Sequence, residues 1–319
     1  MGSVLFLLAF AAPSGAASRA THATRSGHVS GMVLAHGAHS APKGQANGDP
    51  PLLYHGGKVM QKGSKTYAIF WEPSTLQNGN PTSVSPTYNS LLQQYFNDVG
   101  GHDLYQTTTQ YFQRAGAQVQ FIKNRSKLSG TYVDTSAYPA SGCSDPATPG
   151  ACVSDAQIQA EVTKVLGIKG WVADQYSEFF VFTSKGEGSC FSSFCAFSYY
   201  CAYHGSYTAG GKKVIYANMP YAGTDLSSCS TLSSNSQAPN GDVDADSTIN
   251  VTSHEHMEAV TDPYGDAWYD AIGYENGDEC AWLFPSPLPL DNGKATVQWN
   301  GHFYYVQGEW SNQANDCIF

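Results

Sequence analysis

The eight cysteines constrain this chain of 319 residues more than any other feature. All of them lie at or after position 143, and no two form a CxxC pair. An even number without CxxC pairs favours disulfides over a structural zinc site, and it predicts an oxidising, extracellular compartment. We expect Cys143 to pair with Cys152 across a Pro/Gly-rich loop and Cys280 to pair with Cys317. The other four cluster further along the chain, without a predicted pairing: Cys190, Cys195, Cys201 and Cys229.

The first fifty residues carry two predicted processing features. The apolar run at residues 4–12 is too short to cross a bilayer but suits a signal peptide, which we place at residues 1–20. The alternative is a disordered apolar tail, because no Lys or Arg precedes the run. Residues 21–51 have few large apolar side chains, which predicts a low-complexity linker or pro-segment without a core. After signal cleavage, no integral membrane segment is expected.

The composition of the whole chain excludes two classes of protein, and residues 52–319 are expected to form a single folded domain. A formal net charge of −10 and the lack of a basic run exclude a nucleic-acid binder. The hydrophobic share of 41% excludes a disordered protein. Apolar β-rich runs at 65–71 and 179–183 predict buried strands, and helical spacing predicts helices at 85–98 and 154–166. Strands and helices alternate irregularly, which indicates one α/β or α+β domain, and we expect a monomer.

One segment, residues 246–262, carries recognisable chemistry. It predicts a helix that Pro263 ends, and it contains the pattern H-E-x-x-E. His254 and Glu258 are one turn apart on the same face, so together they can bind one cation. Glu255 stands about 100° round the helix, where the general base lies in the H-E-x-x-H helix of zinc proteases.

A catalytic zinc ion takes three protein ligands, so a third is needed beyond this helix. Glu275 follows Glu258 by 17 residues, a distance found for the third ligand in one large class of zinc proteases. Asp278 is a candidate for orienting His254 from outside the ligand set. One imidazole and two carboxylates suit Zn²⁺ and also admit Mn²⁺ or Ca²⁺. The alternative is an ordinary amphipathic helix followed by an acidic turn.

Several short motifs together resemble those of one family. They are YHGG at 54–57, CAYHG at 201–205, HExxE at 254–258, ExxDxC at 275–280, VQWNG at 297–301 and VQ with WSN at 306–312. This set is similar to the plant Exordium, or phosphate-induced-protein, family and its bacterial relatives. The resemblance implies a secreted, wall-associated or extracellular protein, but no particular reaction. It also makes His55 and His204 possible additional site residues, with a turn histidine beside glycine as the alternative for each.

These observations predict an α+β, zincin-like fold. Its mixed, twisted sheet should carry the metal-site helix beneath it, and its C-terminal region should be disulfide-bonded. We expect a secreted metallohydrolase, a metallopeptidase acting on polypeptides, in which His254, Glu258 and Glu275 bind zinc and Glu255 activates water. The alternative is a non-catalytic extracellular binding or signalling protein that engages a cell-wall component. An open metal position beside Glu255 would favour the enzyme.

Overall fold

The computed structural model describes residues 27–36, 38, 51–290 and 293–319. The expected signal peptide at residues 1–20 and most of the expected linker lie outside these ranges. Within them, no helix combines the length and the apolar character needed to cross a membrane.

Strands outnumber helices in the described residues. The strands are β1 (Gly27–Leu34), β2 (Leu53–Tyr54), β3 (Ser64–Trp71), β4 (Phe112–Ala115), β5 (Gln118–Phe121), β6 (Ser126–Asp134), β7 (Cys152–Ser154), β8 (Ser177–Thr183), β9 (Gly188–Phe191), β10 (Phe194–Cys195), β11 (Tyr200–Ala209), β12 (Lys212–Met219), β13 (Trp268–Tyr269), β14 (Val297–Trp299), β15 (His302–Tyr304), β16 (Glu309–Ser311) and β17 (Asp316–Ile318). The α-helices are α1 (Tyr88–Asp98), α2 (Asp103–Gln106), α3 (Asp155–Lys169), α4 (Leu226–Cys229) and α5 (Val243–Thr261). Short 3-10 helices cover Thr107–Gln110, Ala222–Thr224 and Asp278–Cys280.

A six-stranded sheet in the order β1-β11-β12-β8-β3-β6 forms the centre of the fold. The pairs β12–β8, β8–β3 and β3–β6 are parallel, whereas β1–β11 and β11–β12 are antiparallel. The expected mixed sheet is therefore confirmed, as part of a mixed α/β fold with few helices.

Helices cover both faces of this sheet. Because neighbouring side chains on a strand point to opposite faces, Tyr203 and His204 of β11 face opposite ways. The Tyr203 hydroxyl donates to Asp155 of α3 (2.8 Å), while His204 Nδ1 lies 3.2 Å from Glu255 of α5. Helix α3 therefore covers one face, and α5 lies across the other.

Helix α5 is buried along nearly its whole length despite its polar sequence. All of its residues from 245 to 261 are buried. It begins at Val243, three residues earlier than expected, because the Asp242 side chain accepts the N–H of Ala245 (3.1 Å) and caps the helix. It ends at Thr261, close to Pro263 as predicted. Buried polar side chains are costly unless they are partnered, so the polar residues of this helix need partners on the elements around it.

Helix α1 begins later than the sequence predicts, at Tyr88 rather than near residue 85. The Ser85 and Thr87 hydroxyls both donate to the Asp242 carboxylate (2.7 and 2.6 Å). The serine therefore bonds the start of α5 instead of capping its own helix.

The first strand corrects the expectation that residues 21–51 contribute nothing to a core. Gly27–Leu34 forms the edge strand β1, paired antiparallel with β11. Val29, Gly31 and Val33 are buried, whereas the residues between them are partly exposed. This alternation is the pattern of a strand with one face on a core, and the small-residue composition of the surrounding segment obscured it.

Four disulfides close the structure, and both predicted pairs are among them. Cys143–Cys152 and Cys280–Cys317 form as expected. The four cysteines without a predicted pairing form Cys190–Cys195 and Cys201–Cys229. The Cys201–Cys229 bond fixes the start of β11, and the Cys280–Cys317 bond fixes the loop that follows α5.

The carboxylate of Asp98, at the end of α1, ties the β14–β15 hairpin to the domain. It accepts hydrogen bonds from Asn300 (2.9 Å), His302 (2.6 Å) and Tyr304 (2.6 Å). Burial opposes ionisation of Asp98, but the bonds from Tyr304, Asn300 and His302 outweigh it and lower the pKa of this carboxyl. Asp98 therefore contributes stability above its unfolded pKa, and this contribution is lost as pH falls through the lower folded value.

We predict that Asp98→Asn lowers the free energy of unfolding by about 2 kcal/mol at pH 7, because a charged acceptor is replaced by a neutral one. Urea denaturation at several pH values measures the difference from the wild type. The difference should shrink as pH falls below about 4, where the carboxyl becomes protonated first in the unfolded state and then, at lower pH, in the folded state. Two stability curves that stay parallel down to pH 2 would contradict this role.

Candidate metal site

Glu258 of α5 lies at the centre of a buried cluster of imidazoles and carboxylates. Its Oε1 lies 2.9 Å from His254 Nε2 and accepts the backbone N–H of Asp278 (2.9 Å). Its Oε2 lies 3.6 Å from Nδ1 of His204. The two oxygens of one carboxylate therefore face two different histidines, one on its own helix and one on β11.

Two groups with metal-ligand chemistry share this carboxylate. One consists of His204, Glu258 and Glu275, and the other of His254, Glu258 and Asp278; the ligand atoms within each group lie within 4.8 Å of one another. The predicted ligands His254, Glu258 and Glu275 lie in this one cluster, but they are divided between the two groups. His204, considered only as an additional residue, belongs to the first group.

Glu255 faces β11 and β1. Its Oε2 lies 3.2 Å from His204 Nδ1, and its Oε1 accepts the backbone N–H of Val33 (3.1 Å). The main chain of β1 therefore lies against Glu255, and the position beside this carboxylate is not open.

His254 is held from its other nitrogen by a residue that the sequence analysis did not single out as a site residue. Gln307 Nε2 lies 3.0 Å from His254 Nδ1 and also donates to the carbonyl of Gly277 (2.8 Å). The backbone N–H of Trp282 donates to Gln307 Oε1 (3.2 Å), which fixes the orientation of the Gln307 side-chain amide. Asp278, expected to orient His254 from outside, instead lies 3.5 Å from Nε2, on the Glu258 side.

His55 lies outside both groups. It is exposed, and its ring stacks on Tyr269 with centroids 3.5 Å apart and planes 4° apart. Its backbone N–H donates to the carbonyl of Ala267 (2.7 Å) and so extends the pairing of β2 with β13.

Carboxyl groups outnumber imidazoles in and around the cluster. The buried carboxylates that act on the cluster, within the described ranges, are Glu178, Glu255, Glu258, Asp262, Glu275, Asp278 and Glu309. Burial is the largest influence on Glu275 and raises its pKa well above the usual range; it also raises the pKa of Asp278 to about 7. Burial favours the neutral form of Glu258 too, but His254 and His204 outweigh it and lower that pKa to about 2.

The histidines respond in the opposite direction. Burial disfavours the imidazolium form of His204, but the carboxylates of Glu275, Glu255 and Glu258 prevail and raise its pKa well above 6.5. For His254, burial is likewise outweighed by Glu258 and Asp278, and its pKa is raised. The cluster as a whole therefore favours bound positive charge.

Unpartnered atoms point to where a cation would fit. His254 Nε2, Glu258 Oε2 and Glu275 Oε2 are buried without a hydrogen-bond partner in the described part of the chain. The short His254–Glu258 contact is an ion pair whose geometry is not that of a hydrogen bond. Buried polar atoms are normally satisfied, so each ligand group has unpartnered atoms that a divalent cation could bind, with His254 Nε2 in one group, Glu275 Oε2 in the other and Glu258 shared by both. No protein-family model, curated protein or solved structure matches this chain.

Two glycines let the main chain approach the cluster from opposite sides. A Cβ on Gly31 of β1 would lie 1.8 Å from Glu258 Oε2 and 2.7 Å from His204 Cε1. A Cβ on Gly277 would lie 2.9 Å from the His254 ring and 3.0 Å from Glu258 Oε1. Neither position has room for a side chain, so both glycines are required by space.

We predict that Gly277→Ala lowers the free energy of unfolding by about 1–3 kcal/mol, because the new methyl group overpacks a rigid buried site. Gly167→Ala is the matched control: Gly167 lies in α3, and its added Cβ meets nothing within 4 Å. That change should stabilise the protein by about 0.5–1 kcal/mol. Urea denaturation of both variants measures this, and equal effects would show that the contact at Gly277 is not restrictive.

Proposed function

We propose that this protein is a secreted metallohydrolase, and specifically a zincin-like metallopeptidase. The observation that supports it best is Glu258, whose two oxygens face two imidazoles beside further unpartnered donor atoms. Glu255, three residues earlier on the same helix, would be unnecessary in a purely structural metal site. A large mixed sheet with the HExxE helix across one face agrees with this assignment.

The donor set favours zinc or manganese over calcium. Calcium takes oxygen ligands, whereas this cluster offers two imidazoles with its carboxylates. Glu258 would hold the cation in either ligand group, together with His204 and Glu275 or with His254 and Asp278. A bound divalent cation would polarise a substrate carbonyl and lower the pKa of water.

Within this function, Glu255 is the residue that accepts a proton. It is the buried carboxylate next in sequence to His254, and its Oε2 is held by the His204 contact (3.2 Å). That contact fixes the orientation of the carboxylate. Its other oxygen accepts the backbone N–H of Val33 (3.1 Å), so β1 lies over the proposed proton acceptor.

The four disulfides and the resemblance to the Exordium family support an extracellular location. They also support the alternative function, a non-catalytic binding or signalling protein that engages a cell-wall component. One observation favours this alternative: His204, His254, Glu255 and Glu258 are 0% exposed. A site closed in this way cannot act on a polypeptide until a covering element moves.

We predict that the purified protein contains about one zinc or manganese ion per chain. Glu258→Ala should lose this ion, because the variant removes the carboxylate that both ligand groups share. His55→Ala is the matched control and should retain it. Mass spectrometry of the metal content measures all three proteins. A metal-free wild type, or equal metal in the wild type and Glu258→Ala, would refute the metal site.

We predict that Glu255→Gln keeps the metal but lowers peptide hydrolysis about 10²–10⁴-fold, since an amide cannot accept the proton from water. The assay uses protein purified from culture supernatant and a peptide library read by mass spectrometry. His55→Ala again serves as the control. Hydrolysis that is equal in Glu255→Gln and wild type would assign the activity to another group, and no hydrolysis by either would favour the binding protein.

A further inference from the structure

We propose that β1 occupies a peptide-binding groove along β11, and that this groove takes an extended polypeptide with glycine at the position of Gly31. The inference rests on the proposed function, because it names the substrate class of the same site. It also explains why a site with this chemistry is closed.

The pairing of β1 changes where it crosses the site. Val29 pairs with Gly205 and Met32 pairs with Tyr203. Two residues of β1, Ser30 and Gly31, therefore lie opposite the single residue His204. This β-bulge bends the strand, and bulges are concentrated beside functional sites.

The backbone of β1 contacts the atoms that would carry out the reaction. The N–H of Val33 donates to Glu255 Oε1 (3.1 Å). Gly31 lies so close that an added Cβ would fall 1.8 Å from Glu258 Oε2. An extended chain thus lies across both the proposed proton acceptor and the proposed metal ligand, as a bound peptide substrate would.

The strand is placed so that it can be replaced. It stands at the end of the sheet order and pairs with β11 alone. Its departure would break no other strand pair of the sheet, and it would expose the edge of β11. An exposed edge binds extended peptides through main-chain hydrogen bonds. At the far end of the strand, the Trp282 indole N–H donates to the Leu34 carbonyl (2.9 Å), which provides a further main-chain contact.

The same contacts define which peptides fit. Glycine is required over the cluster, because any side chain would collide with Glu258 and His204. Two residues to either side, the buried side chains of Val29 (7% exposed) and Val33 (0% exposed) occupy apolar positions. The ligand class is therefore an extended peptide with the pattern apolar-x-Gly-x-apolar.

The test uses the full chain carrying Gly31→Val, which should expel β1 from the groove, with Met32→Ala as the matched control. Hydrogen exchange of residues 200–209 should rise at least about tenfold in Gly31→Val and stay unchanged in the control. A fluorescent peptide with the sequence HVSGMVL should then bind Gly31→Val at least about tenfold more tightly than the wild type, in which β1 competes for the groove. The same peptide with valine in place of glycine should bind at least about tenfold more weakly.

A second variant keeps the test decisive if Gly31→Val does not fold. Val33→Pro removes the N–H that bonds Glu255, and it should produce the same opening. The proposal would be overturned by unchanged hydrogen exchange of residues 200–209 in a folded variant. Equal binding of the glycine and valine peptides would also overturn it. Peptide binding without cleavage would uphold this groove and refute the hydrolase. Peptide cleavage by a wild-type protein in which β1 stays protected from hydrogen exchange would uphold the hydrolase and refute the groove.

Discussion

The burial of the Glu258 carboxylate is the constraint on which the rest of this structure depends. An ionised carboxylate with no exposure costs several kcal/mol unless it is closely paired. Here His254 and His204 supply the pairing from two elements far apart in sequence. The helix, the strand β11 and the loop at Asp278 must therefore meet at one point, and the layers of the fold are arranged so that they do.

Several features of the chain hold this meeting point together. The Cys201–Cys229 disulfide fixes the strand that carries His204, and Cys280–Cys317 fixes the loop that carries Asp278. Gln307 positions the His254 ring from its other nitrogen (3.0 Å). Such support restricts conformational freedom, and a buried helix with apolar residues in these positions would give a more stable fold. The fold thus maintains a costly polar cluster, which is expected of a functional site.

Local sequence patterns predicted the parts of the site that lie close together in the chain. Helical spacing placed His254 and Glu258 on one face, and the short distance to Glu275 and Asp278 brought the next loop into the cluster. The position of His204 could not follow from spacing, because it depends on which strand lies beside α5. The alternation of Val29, Gly31 and Val33 was visible, but the small-residue composition around it indicated a linker.

The covering strand connects the chemistry of the cluster to its isolation from solvent. A low-dielectric site strengthens the interactions of charges, but it must open to admit a polypeptide. In the described ranges, β1 is the element that both contacts Glu255 and pairs with the sheet on one side only. Its glycine lets an extended backbone lie directly on the carboxylate and imidazole atoms. The proposed ligand, an extended peptide with glycine at this position, follows from this close fit between β1 and the cluster.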